Sequence, residues 1–340
     1  MTSQPIYDLH AHWFSGSTID FLRGRSAVPR IEQVGDTLRI RHSDRDGGGL
    51  ALGPQWFDVE ARLKHLDDNG IAHQLISWPT TLGVDAALSA QESLPLWEIW
   101  NDDVAALVSR HPGRFSGLAA LSTSDIAWSV RELERAHTKL GLIGGTLPVN
   151  GFFSKETARS FLPIFEAAQH FKSHIYLHTG FAHPSVPHQP PANTGALGNR
   201  LNWLLDSAWH FASGVTTLAF SDFLAPFPDV TVQVAMLGGS GLAATVAEQA
   251  EAAGLVPDVR ENFRQIWLDT GAAGSGSAAI AAAVRVLGAD RIVFGTDFGP
   301  VPDTAPVIGR VRAAARDEAE AAAIFAGNAQ ALLSRHVRPL

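Results

Sequence analysis

Eight short runs of β-forming residues alternate with longer Ala- and Leu-rich stretches along this chain of 340 residues. Apolar residues recur about every 3.6 positions in the longer stretches, which predicts helices between the strands. Such alternation favours parallel strands, and eight of them predict a closed (β/α)8 TIM barrel of the α/β class. The predicted strands are 6–10, 72–77, 115–121, 143–147, 174–178, 231–236, 265–269 and 291–295. The predicted helices include 59–69, 94–110, 125–140, 160–170, 242–253 and 278–287.

A doubly wound open sheet is the alternative for strands and helices in this order. That fold normally carries a Gly-rich phosphate-binding loop after its first strand. Here the first predicted strand is followed by Ala11-His12-Trp13-Phe14, which contains no glycine. The barrel is therefore the preferred interpretation.

We expect one domain over residues 1–340, with an insertion after the first strand at 24–55. The insertion contains Gly35-Asp36 between β-forming residues, which predicts a small hairpin, and we expect it to lie over the barrel mouth. A second irregular segment, 181–200, is rich in Pro, His, Gly and Asn and follows the fifth strand. Long loops at the carboxyl ends of barrel strands usually shape the site.

Charge and composition narrow the possible partners. The net charge is −8, from 34 acidic and 26 basic residues, and no basic stripe is present, so nucleic acid is not expected. The chain has no Cys, so any metal must use His, Asp or Glu. No apolar stretch has membrane-spanning length and no signal peptide is recognisable, so we expect a cytoplasmic protein without membrane contact.

The run Asp8-Leu9-His10-Ala11-His12 is the strongest indication of chemistry. Residues two apart on a strand point to the same side, so His10 and His12 are expected to project together into the barrel mouth. His178 ends the fifth predicted strand, and Asp297 follows the eighth. Barrel sites lie at the carboxyl ends of the strands, and His and Asp are common metal ligands. These four side chains therefore predict a metal site.

Further motifs extend the pattern nearly from end to end. They are Asn69-Gly70-Ile71, Asn101-Asp102-Asp103, His111-Pro112-Gly113-Arg114-Phe115, Leu118-Ala119-Ala120-Leu121, Leu177-His178-Thr179-Gly180, Phe294-Gly295-Thr296-Asp297 and Gly327-Asn328-Ala329. With them the chain resembles the amidohydrolase superfamily, and within it the branch of aminocarboxymuconate-semialdehyde decarboxylase and related metal-dependent decarboxylases.

The resemblance implies that His10, His12, His178 and Asp297 hold one divalent metal ion. Binuclear members of the superfamily carry a modified Lys at the end of strand four, where this chain has Gly144-Gly145-Thr146-Leu147. One metal is therefore expected. Zinc suits three imidazoles and a carboxylate, and manganese is the alternative. By the same resemblance, we expect a homodimer.

One position departs from the family pattern. Relatives carry a His at the end of strand six that is thought to help activate the metal-bound water, and Met236 stands there in this chain. Met cannot transfer protons, which leaves three alternatives open. His183 or His188, in the loop after strand five, could take the catalytic role; Asp297 could itself carry the proton; or the ancestral chemistry could be lost.

An anionic substrate needs cationic partners. Arg39, Arg41 and Arg45 in the insertion are candidates, because Arg binds carboxylates in a bidentate way. Asp269, at the end of strand seven, could orient a metal ligand or hold the backbone of the loop that follows it.

Aromatic and apolar side chains near the predicted ligands are candidates for the substrate pocket. Trp13 and Phe14 follow the paired His residues, Trp78 follows the second strand, and Phe298 follows the last predicted ligand. The two Trp side chains could stack on a planar ring. Met236 is counted among the substrate-contacting positions because of its place at the end of strand six.

Three functions are compatible with these residues. The leading hypothesis is a metal-dependent, non-oxidative decarboxylase of an aromatic or unsaturated carboxylic acid. The second is a hydrolase or hydratase acting on a lactone, ester, amide or conjugated acid through metal-bound hydroxide. Met236 weighs more against the second, because decarboxylation through Asp297 needs no hydroxide. The third is a degenerate homologue, against which the complete ligand set argues.

Overall fold

The computed structural model describes residues 5–42, 49–191, 200–271 and 276–336. Its strands are β1 (Ile6–His12), β2 (Arg30–Val34), β3 (Thr37–Arg41), β4 (Leu50–Leu52), β5 (Ile71–Ser77), β6 (Phe115–Gly117), β7 (Ala119–Ala120), β8 (Gly144–Pro148), β9 (His174–His178), β10 (Thr231–Val234), β11 (Ile266–Asp269) and β12 (Ile292–Val293). Its helices are α1 (Gly16–Arg23), α2 (Val59–Asp68), α3 (Val84–Ala87), α4 (Ala90–Arg110), α5 (Ile126–Arg135), α6 (Lys155–Ala158), α7 (Leu162–Phe171), α8 (Arg200–Phe220), α9 (Leu242–Ala252), α10 (Val259–Asn262), α11 (Ser277–Leu287), α12 (Ala305–Ala314), α13 (Glu318–Ala322) and α14 (Asn328–Ser334). Within these ranges no helix is long and apolar enough to cross a membrane.

Barrel strands one to eight are β1, β5, β6 with β7, β8, β9, β10, β11 and β12. Parallel ladders join β1 through β5 to β6, and β7 through β8, β9, β10 and β11 to β12. Backbone hydrogen bonds link the first strand to the last: the Leu9 N–H donates to the Phe294 carbonyl at 2.9 Å, and the Asp297 N–H to the His10 carbonyl at 2.8 Å. The predicted (β/α)8 barrel is confirmed.

The inside of the barrel carries a layer of polar side chains. Tyr176 of strand five and Gln233 of strand six both donate to the carboxylate of Asp269 on strand seven, at 2.9 and 2.8 Å. His174 contacts the side-chain oxygen of Gln233 at 3.2 Å. All four residues are fully buried. Buried polar groups are tolerated when they satisfy one another's hydrogen bonds, as they do here.

Most predicted strands are shifted at their ends by one or two residues, and two of the differences have a clear structural reason. The predicted strand 115–121 is divided at Leu118, because β6 pairs with β5 whereas β7 pairs with β8. The predicted strand 231–236 ends at Val234, because the backbone enters the left-handed region at Met236 and Leu237, with φ of 52° and 55°. A strand cannot continue through that region.

The insertion after strand one contains a three-stranded antiparallel sheet of β2, β3 and β4. The pairing of Val34 with Thr37 places the reversal between β2 and β3 at Gly35-Asp36. The end of the insertion contacts the segments that follow the first and last barrel strands: the Gln55 amide donates to the Gly299 carbonyl at 3.3 Å, and the Trp56 carbonyl accepts from the Phe14 N–H at 2.8 Å. The position of the whole insertion over the mouth stays a prediction.

Gly144 packs too closely against strand five to accept a side chain. A Cβ there would lie 1.8 Å from the His174 carbonyl oxygen. Gly144→Ala should therefore lower the free energy of unfolding by about 3 kcal/mol or more in urea denaturation. The control is Gly309→Ala, whose Cβ would meet nothing within 4 Å in helix α12 and which should stabilise by about 0.5–1 kcal/mol. Equal unfolding midpoints for the two variants would contradict this packing.

Candidate metal centre

Three imidazoles and one carboxylate converge at the carboxyl end of the barrel. The Nε2 atoms of His10 and His12 lie 3.1 and 3.2 Å from Nε2 of His178. Oδ1 of Asp297 lies 3.4 Å from Nε2 of His10 and 3.2 Å from Nε2 of His12. One ligand atom from each of the four residues lies within 4.8 Å of all the others. The structure therefore brings together the four residues predicted as ligands.

The outer ring nitrogens show which nitrogen of each His is available to a cation. Nδ1 of His12 lies 3.0 Å from the Ser77 carbonyl, which can only accept, so Nδ1 carries a proton. Nδ1 of His178 lies 3.2 Å from the hydroxyl of Thr80, and that hydroxyl donates its own proton to the Thr179 carbonyl at 2.7 Å. Nδ1 of His178 is therefore a donor too.

His10 follows the same arrangement, because its Nδ1 lies 3.0 Å from Oδ1 of Asp269. A carboxylate on the outer nitrogen of an imidazole fixes the ring orientation and raises the basicity of the inner nitrogen. All three Nε2 atoms are thus directed at one point. This is the arrangement that a metal-ligating His requires.

The electrostatics of the centre favour a cation. Burial lowers the pKa of His10, but Asp269 and Asp297 more than offset this effect and raise it to about 10. Burial raises the pKa of Asp297, yet the charges and hydrogen bonds of His10 and His12 hold it below its usual value. Burial and the neighbouring His12 and His10 hold the pKa of His178 well below its usual range. The two carboxylates beside these imidazoles therefore attract positive charge.

The donor spacing fits one divalent ion. Zinc bonds of about 2.0–2.1 Å in tetrahedral geometry place neighbouring ligand atoms about 3.3 Å apart. Four of the six separations between donor atoms lie between 3.1 and 3.4 Å, and all six lie within 4.8 Å. His10 and His12 are fully buried, whereas the Asp297 side chain is 13% exposed and faces the mouth.

Asp8 ties the first barrel strand to its neighbours on both sides. Its Oδ1 accepts from the backbone N–H groups of Thr296 and His10 at 2.9 and 3.1 Å. Its Oδ2 accepts from the Thr296 hydroxyl at 2.6 Å and the Gln74 amide at 2.7 Å. Burial raises the pKa of Asp8. Asp8 is not among the residues predicted for the site, although its spacing of two from His10 places it on the same face of the strand.

Asp269 has both of the roles considered for it. Its Oδ1 contacts His10 and also accepts from the backbone N–H groups of Met236 at 3.2 Å and Gly271 at 3.0 Å. The same carboxylate accepts from the Tyr176 hydroxyl at 2.9 Å. It therefore orients a predicted metal ligand and anchors two loops at once.

Met236 lies beside the centre at the end of barrel strand six. Its sulfur is 3.5 Å from the hydroxyl of Thr179, the residue after His178. It begins a run of six left-handed residues, 236–241, with φ between 52° and 90°. A residue other than Gly in this region is strained by about 1–2 kcal/mol. The thioether has no proton to give, so this position supplies no acid or base.

The two loop His residues lie apart from this arrangement. Nδ1 of His183 is 2.7 Å from the Ser185 hydroxyl in an exposed turn, and His188 is exposed with φ of 61°. Within the described ranges, neither ring hydrogen-bonds to one of the four converging side chains. Their catalytic role stays a prediction.

The Arg candidates make contacts within the insertion. Arg39 donates to the Gly49 carbonyl at 2.9 Å, and Arg41 pairs with Glu32 at 3.3 Å. Arg45 lies outside the described residues. Their binding of substrate stays a prediction.

The aromatic candidates near the mouth occupy different surroundings. Phe14 is fully buried, with its ring centroid 5.1 Å from that of Trp56 and 5.2 Å from that of Trp78. Trp78 also lines a cavity beside the centre. Trp13 is 4% exposed, and its indole N–H has no hydrogen-bond partner in the described part of the chain. Phe14 thus contributes to packing, and substrate contact by Trp13, Phe14, Trp78, Met236 and Phe298 stays a prediction.

Phe298 packs against a buried cation that the sequence did not single out as a site residue. The guanidinium of Arg62 lies 4.7 Å from the centre of the Phe298 ring. Arg62 is fully buried and donates to the Gln55 carbonyl at 2.8 Å and to the Gln74 side chain at 2.9 Å. Burial lowers its pKa to about 9. Arg62 therefore links the end of the insertion to barrel strands one and two.

Removal of a ligand should abolish metal binding. We expect about one divalent ion per wild-type chain, and most of it lost in His178→Ala, by elemental analysis of protein purified without chelators. The control is His73→Ala. His73 is also buried but contacts Gly113 and Ser116 instead, so its loss should leave the metal content unchanged. Equal metal contents in wild type and His178→Ala would contradict the site.

The carboxylate of Asp269, which contacts the outer nitrogen of His10, should increase the affinity of the centre for its metal ion. Asp269→Asn keeps the size of the side chain but removes the charge, and we expect the metal Kd to rise about 10–100-fold in chelator competition. Glu132→Gln is the matched control, because Glu132 is a buried carboxylate bound to Asn101 and Arg135. Its exchange should lower stability and leave the metal Kd unchanged. Similar Kd values for both variants would argue against an orienting role of Asp269.

Comparison with known proteins places this site in a family. The chain is 25% identical over 256 residues to 2-amino-3-carboxymuconate-6-semialdehyde decarboxylase of Dictyostelium discoideum, covering 72% of this chain and 67% of that one. Its fold is similar to that of 5-carboxyvanillate decarboxylase from Sphingomonas paucimobilis, with TM-score 0.72, 21% identity, and 98% and 99% of the two chains covered. It is also similar to dihydroxybenzoic acid decarboxylase from Polaromonas sp. JS666, solved with manganese and the inhibitor 2-nitroresorcinol, with TM-score 0.67, 19% identity and 97% of each chain covered. The family model described as amidohydrolase matches residues 7–335, and the chain therefore belongs to the amidohydrolase family.

Proposed function

We propose that this protein is a metal-dependent, non-oxidative decarboxylase of an aromatic or unsaturated carboxylic acid. One observation carries the proposal: Asp297 is the converging side chain that remains open to the mouth, while the strand-six position beside it holds the aprotic Met236. The described residues of the site can hold a cation and move one proton through Asp297, whereas Met236 supplies no base for water. The similarity to proteins named as decarboxylases supports the same reaction class.

His10, His12, His178 and Asp297 are proposed to hold the ion. Bound there, a divalent ion would supply Lewis-acid chemistry and bind the substrate carboxylate. Zinc is proposed because three imidazoles and one carboxylate are its usual type of ligand set. Manganese is the alternative, and it is the ion bound in the Polaromonas structure.

Asp297 is proposed to carry the proton. It is ionised before substrate enters, because His10 and His12 hold its pKa below the usual value despite burial. It therefore first accepts a proton from an acidic hydroxyl of the substrate. It then delivers this proton to the carbon that bears the carboxylate. A new C–H bond forms from a π electron pair, the C–C bond breaks and returns its pair to the unsaturated system, and carbon dioxide leaves.

The surrounding residues make hydrolysis or hydration a weaker alternative. Those reactions need a group that takes a proton from water. Asp269, the nearest further carboxylate, already accepts from His10, Tyr176 and Gln233 and is fully buried. Burial and Asp269 raise the pKa of Tyr176 well above its usual value, so Tyr176 stays protonated as a donor. Both groups serve to hold the ligands in place.

We also propose a homodimer located in the cytoplasm and acting on a small-molecule acid. These proposals rest on the family resemblance and on the composition of the chain.

The reaction is tested by measuring carbon dioxide release and deuterium incorporation in the same experiment. Metal-loaded protein in D2O, given a panel of hydroxybenzoic and conjugated acids, should release carbon dioxide and leave one deuterium on the vacated carbon. Asp297→Asn, assayed at saturating metal with its metal content measured, should lower kcat by about 10²–10⁴-fold. Incorporation of ¹⁸O from water without carbon dioxide would instead identify a hydrolase or hydratase. Turnover of no acid by a fully metal-loaded chain would favour a degenerate homologue.

A further inference from the structure

The first turns of helix α8 carry large apolar side chains that the rest of the chain leaves exposed. Leu201, Trp203 and Leu205 are 63%, 39% and 65% exposed, and Trp209 is 51% exposed. These four account for most of the seven exposed large apolar side chains in the described ranges, so the exposure is concentrated at one place. A surface helix normally turns such side chains towards the core, and a contiguous apolar patch usually marks a contact site.

The second half of the same helix is packed in the ordinary way. Phe211, Val215 and Leu218 are at most 2% exposed, and a Cβ at Gly214 would lie only 2.9 Å from the side chain of Val149. By contrast, none of the residues 201–206 is buried. The helix is therefore fixed to the barrel by its second half, while its first turns extend beyond the surface against which that half packs.

Three of the exposed side chains form one stripe, because Leu201, Leu205 and Trp209 follow each other at intervals of four residues. We call this stripe, together with Trp203, the α8 face. A row of side chains four residues apart is the ridge that packs into the groove of another helix. The four side chains expose roughly 400 Å², about half of what each partner contributes to a protein interface of standard size. The α8 face can therefore form the centre of a stable interface.

The charges on and around the helix favour a second copy of this chain as the partner. Residues 201–220 contain no Lys or Arg, whereas a helix that lies on a membrane surface carries both on its polar side. Their one acidic residue, Asp206, lies 3.7 Å from Nε2 of His210 and is 23% exposed. Two copies with a net charge of −8 each repel one another least where surfaces without charge meet. A surface rich in Leu and Trp and poor in charge is also typical of the core of an interface.

We propose that the α8 face is the contact between two copies of this chain, with their α8 helices packed against each other across a two-fold axis. This inference rests on the proposed homodimer and gives it a surface, but it does not depend on the proposed reaction. In a two-fold contact the same stripe lies on both sides. Leu205, in the middle of the stripe, therefore lies close to Leu205 of the partner subunit.

The α8 face also adjoins the mouth of the barrel. A Cβ at Gly239 would lie 2.2 Å from the Ala208 carbonyl oxygen, so the left-handed turn that begins at Met236 packs directly on α8. The Trp209 ring lies edge to face with that of Phe153, with centroids 4.9 Å apart. The partner subunit thus supports the helix on which this turn rests. Because only the folded chain can form the contact, Tm should rise with protein concentration.

Substitution of the stripe tests the contact directly. Wild-type protein should sediment with twice the mass of one chain, and the double variant Leu201→Glu/Leu205→Glu should raise the Kd of the dimer about 100-fold or more, because charged groups lose their hydration in an apolar contact. The matched control is Leu255→Glu, since Leu255 is 78% exposed and lies outside α8. It should leave the Kd unchanged. All substituted positions are exposed in one chain, so the far-UV circular dichroism of each variant should match that of wild type.

The lack of Cys in the chain allows a second, independent test. Leu205→Cys, treated with a short bismaleimide crosslinker at a concentration where wild type is dimeric, should give covalent dimers. Leu255→Cys under the same conditions should give single chains.

The outcomes separate this proposal from the others. A wild-type protein with the mass of one chain at every concentration would overturn both the α8 contact and the homodimer. A dimer whose Kd is unchanged in Leu201→Glu/Leu205→Glu, or that does not crosslink in Leu205→Cys, would overturn the α8 contact and leave the homodimer with a different surface. Release of carbon dioxide is measured separately and bears only on the proposed reaction.

Discussion

The buried carboxylate of Asp8 is the constraint on which the site depends. It accepts both the backbone and the side-chain donor of Thr296 and the amide of Gln74, so one side chain joins barrel strand one to strands eight and two. This junction brings His10 of the first strand beside Asp297 after the last, residues that are far apart in the chain. Metal ligands on opposite ends of a sequence can share one ion only when such a closure fixes their register. The same contact therefore supports both the closure of the barrel and the position of two predicted ligands.

The three His rings of the centre are fixed by contacts to their outer ring nitrogens. A carbonyl at Ser77, a hydroxyl at Thr80 and a carboxylate at Asp269 each contact the outer nitrogen of one His, so the three rings are held before any ion binds. Three predicted site positions have strained backbones, with φ of 61° at Asp297 and His188 and 52° at Met236. Strain of this kind persists where the surrounding structure enforces it, and it concentrates at functional sites.

Met236 stands where relatives carry a His, and this difference removes a proton carrier. It does not alter the positions of the four predicted metal ligands. Asp269 accepts from the Met236 backbone N–H, an interaction that does not depend on the side chain. The left-handed turn and the geometry of the ligands are therefore compatible with a Met side chain at position 236, where the family pattern has a His. In the proposed function Asp297 both holds the ion and carries the proton, so the two tasks share one side chain.

Periodicity and position in the sequence were enough to predict the barrel and the four converging side chains, because each of these is a local property. His10 and His12 share a face since strands repeat every two residues, and His178 and Asp297 follow apolar runs that end at the mouth. Only the tertiary structure decided the rest. The pairing of Asp8 with Thr296 and the burial of Arg62 arise from contacts between distant segments. The left-handed turn at Met236 likewise could not be predicted, because the sequence around it has the pattern of a β-strand. Contacts with surrounding residues, and not local propensity, hold the backbone in that conformation.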